Sequence, residues 1–252
     1  MRLRCGAREV ACRLVIFDKD GTLLDFRSLW VPVVRARARF IVEEAGQSPS
    51  LEAVLLRAFG YDPDGDRIDP RGPLAIAPRA QTTVIGATLL YQAGVAWEDA
   101  MAAVRRAYQR TDQTVDPARA AQLIPGVEPV LRALRAAGAR LAVGTTDTTM
   151  QARRGLAALG VADLFDAILG ADGVTHPKPH PEMVTRLCAE TGVDARETVV
   201  VGDAVADLVM AREAGAALAV GVATGVTPEA ELRPHADVVI GSLADLVPRS
   251  AR

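Results

Sequence analysis

From residue 128 onward the chain alternates short apolar runs with helical stretches, a rhythm that restricts it to a parallel sheet with helices on both faces. Helical patterning over 128–137 stops at Gly138, an apolar run over 140–143 leads into Thr145, and a helix over 149–159 stops at Gly160. Strands are expected at 167–169, 198–201, 217–222 and 237–240, with helices at 181–191 and 206–214. A glycine just past a helix is the usual stop signal, because it takes the left-handed turn without strain. One further strand signal stands far from this series. Leu14-Val15-Ile16-Phe17 is apolar throughout, the pattern of a strand covered on both faces.

A long block with helical signals separates that first strand from the rest. Residues 28–45 carry apolar groups at Trp30, Val33, Val34, Ile41 and Val42, and helices are expected again at 48–59, 81–92 and 98–111. The stretch 60–78 holds four prolines, four aspartates and three glycines, which reads as a loop without elements of its own. Pro125-Gly126 then opens the alternating pattern. The expected organisation is an α/β core formed by residues 1–26 and 123–252, with a helical cap domain inserted at 27–122.

Composition narrows the partners. Half of the 252 residues are hydrophobic, only 4% are aromatic, and the net charge is −2, which gives no nucleic-acid footprint. Arg35, Arg37 and Arg39 do not alter this, since a spacing of two scatters side chains around a helix; a solvated helical face is expected, from which one arginine could reach a substrate anion. Cys5, Cys12 and Cys188 are odd in number and far from any metal spacing, so inert thiols in a reducing, cytoplasmic compartment are expected. Residues 1–13 are basic without an apolar signal region, and no stretch reaches the length of a membrane span. His176, His180 and His235 are too few and too unevenly spaced for a zinc site. Asp62-x-Asp64-Gly65-Asp66 misses the EF-hand pattern, having Pro73 where the twelfth-position Glu belongs.

The chemistry lies at strand ends. The first strand runs into Asp18-Lys19-Asp20-Gly21-Thr22. Thr145 follows the 140–143 run, Lys178 lies in the loop after 167–169, and Gly202-Asp203-Ala204-Val205-Ala206-Asp207 follows 198–201. The carboxyl ends of strands in an open α/β sheet line one crevice, so all four should converge there. Two carboxylates two positions apart suit phosphoryl transfer. Asp18 can attack phosphorus, while Asp20 protonates the leaving oxygen and then deprotonates water. Mg²⁺ favours oxygen ligands, and Asp18, Asp203 and the Asp20 backbone carbonyl can supply them. Lys178 offers a point charge, and the Thr145 hydroxyl with backbone groups nearby, at Thr146 and Gly21, can bind phosphoryl oxygens. Lys178 and Lys19 are the only lysines among 29 basic residues. Lys19 points away from its neighbours if the strand continues, so no catalytic role falls to it.

These strings resemble the haloacid-dehalogenase-like superfamily, in its phosphoglycolate phosphatase and β-phosphoglucomutase branch. Leu141-Ala142-Val143-Gly144-Thr145 is similar to the family's second motif and Lys178-Pro179-His180-Pro181-Glu182 to its third. Gly202-Asp203 through Asp207, with Ala211-Arg212-Glu213-Ala214-Gly215 behind, is similar to the fourth. The resemblance runs from about Leu14 to Leu246 and implies a Rossmann-like core with a helical cap. It also implies Asp18 as nucleophile, Asp20 as acid/base, Thr145 as phosphate binder and Lys178 as charge anchor. Asp203 would bind Mg²⁺ together with Asp18 and Asp20, and Asp207 would orient a metal-bound water or Lys178. Thr146-Asp147 depart from the Asn followed by Lys or Ser common in relatives, and Ala204 replaces a common Ser.

The implied activity is Mg²⁺-dependent hydrolysis of a small phosphorylated metabolite, with phosphoglycolate as the leading substrate. The cap would close over the substrate, with Arg79 and Gln81 as candidate specificity residues. A phosphomutase of the β-phosphoglucomutase type is the alternative, and a non-catalytic phosphometabolite-binding protein the rival of another class. A monomer or homodimer, binding neither nucleic acid nor membrane, is expected.

Overall fold

A strand of four successive apolar residues needs cover on both faces and partners on both edges. The computed structural model, which describes residues 1–115 and 121–249, gives it both. After β1 (Arg2–Cys5) and β2 (Arg8–Ala11), the strand β3 (Leu14–Phe17) enters the interior with all four residues fully buried. The chain forms two compact units, one of Met1–Phe26 with Ala121–Arg252 and the other of Arg27–Ala120. Residues 116–120 of the expected cap and 250–252 of the expected core lie outside the described residues.

In the second unit, helices Phe26–Glu44, Leu51–Ala58, Arg79–Gln92 and Trp97–Thr114 bury Ile41, Leu55, Leu90, Val104 and Tyr108 in one cluster. The 60–78 stretch is not a featureless loop. It forms a hairpin, β4 (Tyr61–Asp62) with β5 (Arg67–Ile68), and a short helix Pro73–Ile76. Proline and aspartate content hid this because one buried side chain anchors the hairpin. Tyr61 is fully buried, its hydroxyl donates to Asp66, and Arg35 donates to that hydroxyl at 2.7 Å. In the arginine run Arg35 and Arg39 are exposed, as expected, while Arg37 is half-buried. The guanidiniums of Arg35, Arg37 and Arg39 lie over the rings of Tyr61, Tyr108 and Phe40 at 5.0, 4.5 and 4.9 Å.

The first unit carries β6 (Arg140–Gly144), β7 (Ala167–Leu169), β8 (Thr198–Gly202), β9 (Leu218–Val222) and β10 (Val238–Ile240). With β3 they form a six-stranded parallel sheet in the order β10-β9-β8-β3-β6-β7. Leu14 and Ile16 pack with Val200, with Met183 and Leu187 of helix Glu182–Thr191, and with Leu208 of helix Val205–Glu213. Helix Val127–Ala136 buries Val127, Leu131 and Leu134 at helical spacing and packs against β6. The sheet register places Phe17 opposite both Val143 and Val201, so the strands leading to Asp18, Thr145 and Asp203 end at the same level.

The N-terminal strands are a feature the sequence reading did not anticipate. β11 (Leu246–Arg249), β1 and β2 make a separate antiparallel sheet in that order. In β1 only Leu3 and Cys5 turn inward and become buried, too short an alternation to stand out among arginines. Among the described residues, no helix is long and apolar enough to cross a membrane.

Truncation at the centre of the sheet should be costly. Ile16→Ala is expected to destabilise the protein by about 3 kcal/mol, within the range for a large apolar residue cut to alanine. A urea titration would read this as a lowered midpoint, and a loss below about 1 kcal/mol would contradict the close packing around β3.

Candidate active site

Strand β3 ends where its ladder makes one last bond, from the Asp18 N–H to the Val201 carbonyl at 2.9 Å. The next residues leave the sheet. The Lys178 Nζ donates to Asp18 Oδ1 at 2.6 Å and lies 2.6 Å from Asp207 Oδ1 as an ion pair. Asp207 sits at the third position of helix Val205–Glu213, where its Oδ2 accepts from the Ala204 N–H at 3.2 Å. The same carboxylate thus closes the helix start and faces the lysine. Burial works against the Lys178 ammonium, but the Asp18 and Asp207 carboxylates outweigh it and hold the amine charged.

Asp203 is 4% exposed and accepts a hydrogen bond from the Thr22 hydroxyl at 3.0 Å. Oxygen atoms of Asp18, Asp203 and Asp207 all lie within 4.8 Å of one another. Burial pushes the Asp203 carboxyl well above the ordinary range, and the charges of Asp18 and Asp207 add to the effect. Burial raises Asp18 too, against the pull of Lys178. Buried carboxylates this close, with one ammonium among them, form a hard oxygen donor set short of positive charge. That is what a divalent cation such as Mg²⁺ fits.

Two glycines give Asp203 its room. Gly21 has φ +89°, and a Cβ there would stand 2.3 Å from Asp203 Oδ2. Its N–H donates to the Leu24 carbonyl at 2.7 Å, so Gly21 supplies clearance rather than a donor for phosphate. A Cβ on Gly225 would stand 1.7 Å from the same oxygen. Next to it, the Thr224 hydroxyl donates to the Gly21 carbonyl at 2.7 Å, tying this loop to the one after β3.

Thr145 is buried just past β6, and its hydroxyl accepts from the Asp147 N–H at 3.2 Å, leaving its own proton to donate. Thr146 is exposed on the turn. Lys19 does not point away as the strand pattern suggested. Its side chain is 4% exposed, and its Nζ contacts Asp20 Oδ1 and lies 3.1 Å from Asp147 Oδ2. The strand ends at Phe17, so its alternation does not extend to Lys19. Lysine scarcity was the available signal for Lys19; Thr22 stood in the first string without a role of its own, and nothing in the sequence marked Thr224 or Gly225. The fold also brings His176, His180 and Glu182 together despite their unpromising spacing, with donor atoms within 4.8 Å.

The fold agrees with comparisons to known proteins. A family model for haloacid dehalogenase-like hydrolases matches residues 12–215, and the chain belongs to that family. It is 32% identical over 239 residues to the probable phosphatase IndB of Dickeya dadantii, covering 93% of this chain and 91% of that one. It is 30% identical over 210 residues to the plasmid phosphoglycolate phosphatase of Cupriavidus necator, covering 82% and 79%. The crystal structure of a predicted phosphoglycolate phosphatase from Haemophilus somnus is similar at a TM-score of 0.68 and 25% identity, covering 93% of this chain and 96% of that one.

The upward shift of Asp203 has a consequence for stability. A carboxyl that holds its proton more tightly when folded makes the native state bind more protons than the unfolded one. Stability is then lost as pH rises from about 4 toward the folded value. Asp203→Asn should therefore raise the melting midpoint of the metal-free protein at pH 7.5 by about 2–4 °C. The difference should shrink as pH falls toward about 4. Melting curves in EDTA across that range check this, and an Asn variant less stable at pH 7.5 would contradict it.

Proposed function

We propose that the protein is a Mg²⁺-dependent phosphomonoesterase that acts on a small phosphorylated metabolite through an aspartyl-phosphate intermediate. One observation carries the reading. Asp18, at the end of the central strand, is bonded to Lys178 and gathered with Asp203 and Asp207. A carboxylate meeting a phosphate dianion needs both a fixed direction and nearby positive charge. Lys178, braced by Asp207, supplies both to Asp18.

In the first step an Asp18 carboxylate oxygen bonds to phosphorus as the bond to the leaving oxygen breaks, and Asp20 gives that oxygen its proton. In the second, Asp20 takes a proton from water, the water oxygen bonds to phosphorus, and inorganic phosphate leaves with Asp18 restored. Thr145 donates its hydroxyl proton to a phosphoryl oxygen. Asp18, Asp203 and the Asp20 carbonyl, with Asp207 behind them, would hold Mg²⁺, which when bound offsets the negative charge gathered at the phosphoryl group.

The case for phosphoglycolate as substrate rests on the relatives named above. Three free, buried cysteines suit a reducing, cytoplasmic setting; burial pushes Cys5 up to about 12 and Cys12 to about 11.

Phosphate release from a panel of phosphorylated metabolites, with Mg²⁺ and with EDTA, tests the reading. Turnover should require the metal and fall by about 10³-fold or more in Asp18→Asn. Absence of release across the panel would overturn the phosphatase. Transfer of the phosphoryl group to a second sugar phosphate instead of water would make the protein a phosphomutase.

A further inference from the structure

Both lysines of this arginine-rich chain are buried beside carboxylates of one site. The mechanism above uses Lys178 and gives Lys19 nothing to do. An ammonium in the interior is costly to keep unless it is paired, and an apolar side chain would fill the same place without that cost. Lys19 is paired twice, with Asp20 Oδ1 and with Asp147 Oδ2. Burial opposes its charge and the two carboxylates overcome it.

Each end of this chain of charges is fixed to backbone. Asp20 lies two residues beyond Asp18, whose N–H completes the ladder to β8. Asp147 donates its N–H to the Thr145 hydroxyl, and its carbonyl accepts from the Ala171 N–H at 2.8 Å. A rigid turn after β6 therefore holds Asp147, Asp147 steadies the Lys19 ammonium, and Lys19 holds Oδ1 of Asp20. The contact fixes where Oδ1 of Asp20 sits and restricts how far its carboxylate can turn.

We propose that Lys19, braced by Asp147, is a positioning residue that orients Asp20 for proton delivery to the leaving group. This rests on Asp20 acting as the acid and base of a phosphatase. Its effect must then follow the leaving group's need for a proton. An alkoxide leaves poorly unless protonated as the bond to phosphorus breaks. A p-nitrophenolate leaves as the anion.

The test compares kcat/KM on an alkyl phosphate, glycerol phosphate or phosphoglycolate, with that on p-nitrophenyl phosphate. This parameter stops at leaving-group departure and is blind to the later water step. Lys19→Met should lose about 10²-fold on the alkyl ester and several-fold less on the nitrophenyl ester. Asp147→Asn should show the same split to a smaller degree, and Lys19→Arg should recover part of the alkyl activity. Equal losses on both esters, with melting midpoints unchanged, would reduce Lys19 to a structural ion pair and overturn the proposal; so would no loss on either. If Lys19→Met does not fold, the split in Asp147→Asn and Lys19→Arg decides. A wild-type protein inactive on both esters would instead remove the phosphatase reading itself.

Discussion

Carboxylates in a protein interior repel one another unless something holds the opposite charge among them, and the carboxyl edge of this sheet concentrates that problem. Asp18, Asp20, Asp147, Asp203 and Asp207 come together there with two ammoniums. Each lysine bridges a pair, Lys178 joining Asp18 to Asp207 and Lys19 joining Asp20 to Asp147. Among the described residues, Asp203 has the Thr22 hydroxyl as its hydrogen-bond partner and no ammonium in direct contact. Burial is the main reason its carboxyl is raised, the Asp18 and Asp207 charges add to it, and a divalent cation would suit that corner.

The sheet makes this concentration possible. Its three central strands end in register, so residues separated by well over a hundred positions in sequence are brought within bonding distance. The strands themselves are apolar to their last residue, which confines polar groups to the edge. Small residues then set how closely the loops can approach. Clearance at Gly21 and Gly225 lets two loops close on the Asp203 carboxylate from different directions.

Most of the parallel sheet was legible in the sequence because its strands are continuous apolar runs and its helices stop at glycines such as Gly138 and Gly160, both at positive φ. The acidic strings were legible because strand ends fix where such groups emerge. What could not be read depends on partners far away in sequence. β1 gains its meaning only from β11, and the hairpin at Tyr61 only from Arg35 on another helix. The direction of Lys19 was misread by continuing a strand that ends two residues earlier. Asp147 looked like a departure from relatives until its lysine partner came into view.

The pairing of Asp25 with Gln122 also bears on the order in which the chain can assemble. Its N–H donates to the Gln122 carbonyl at 2.9 Å, and Leu24 bridges to Leu123 alongside, so the segment between them leaves and returns at one point. Closing so long a loop from a random coil costs about 4 kcal/mol of chain entropy. β3 must meet that cost before it can pair with β6 or β8, both synthesised after the insertion. A contiguous segment with its own apolar cluster can order first, and once ordered it shortens the effective loop to a few residues. The insertion is then an aid to nucleating the sheet that it interrupts.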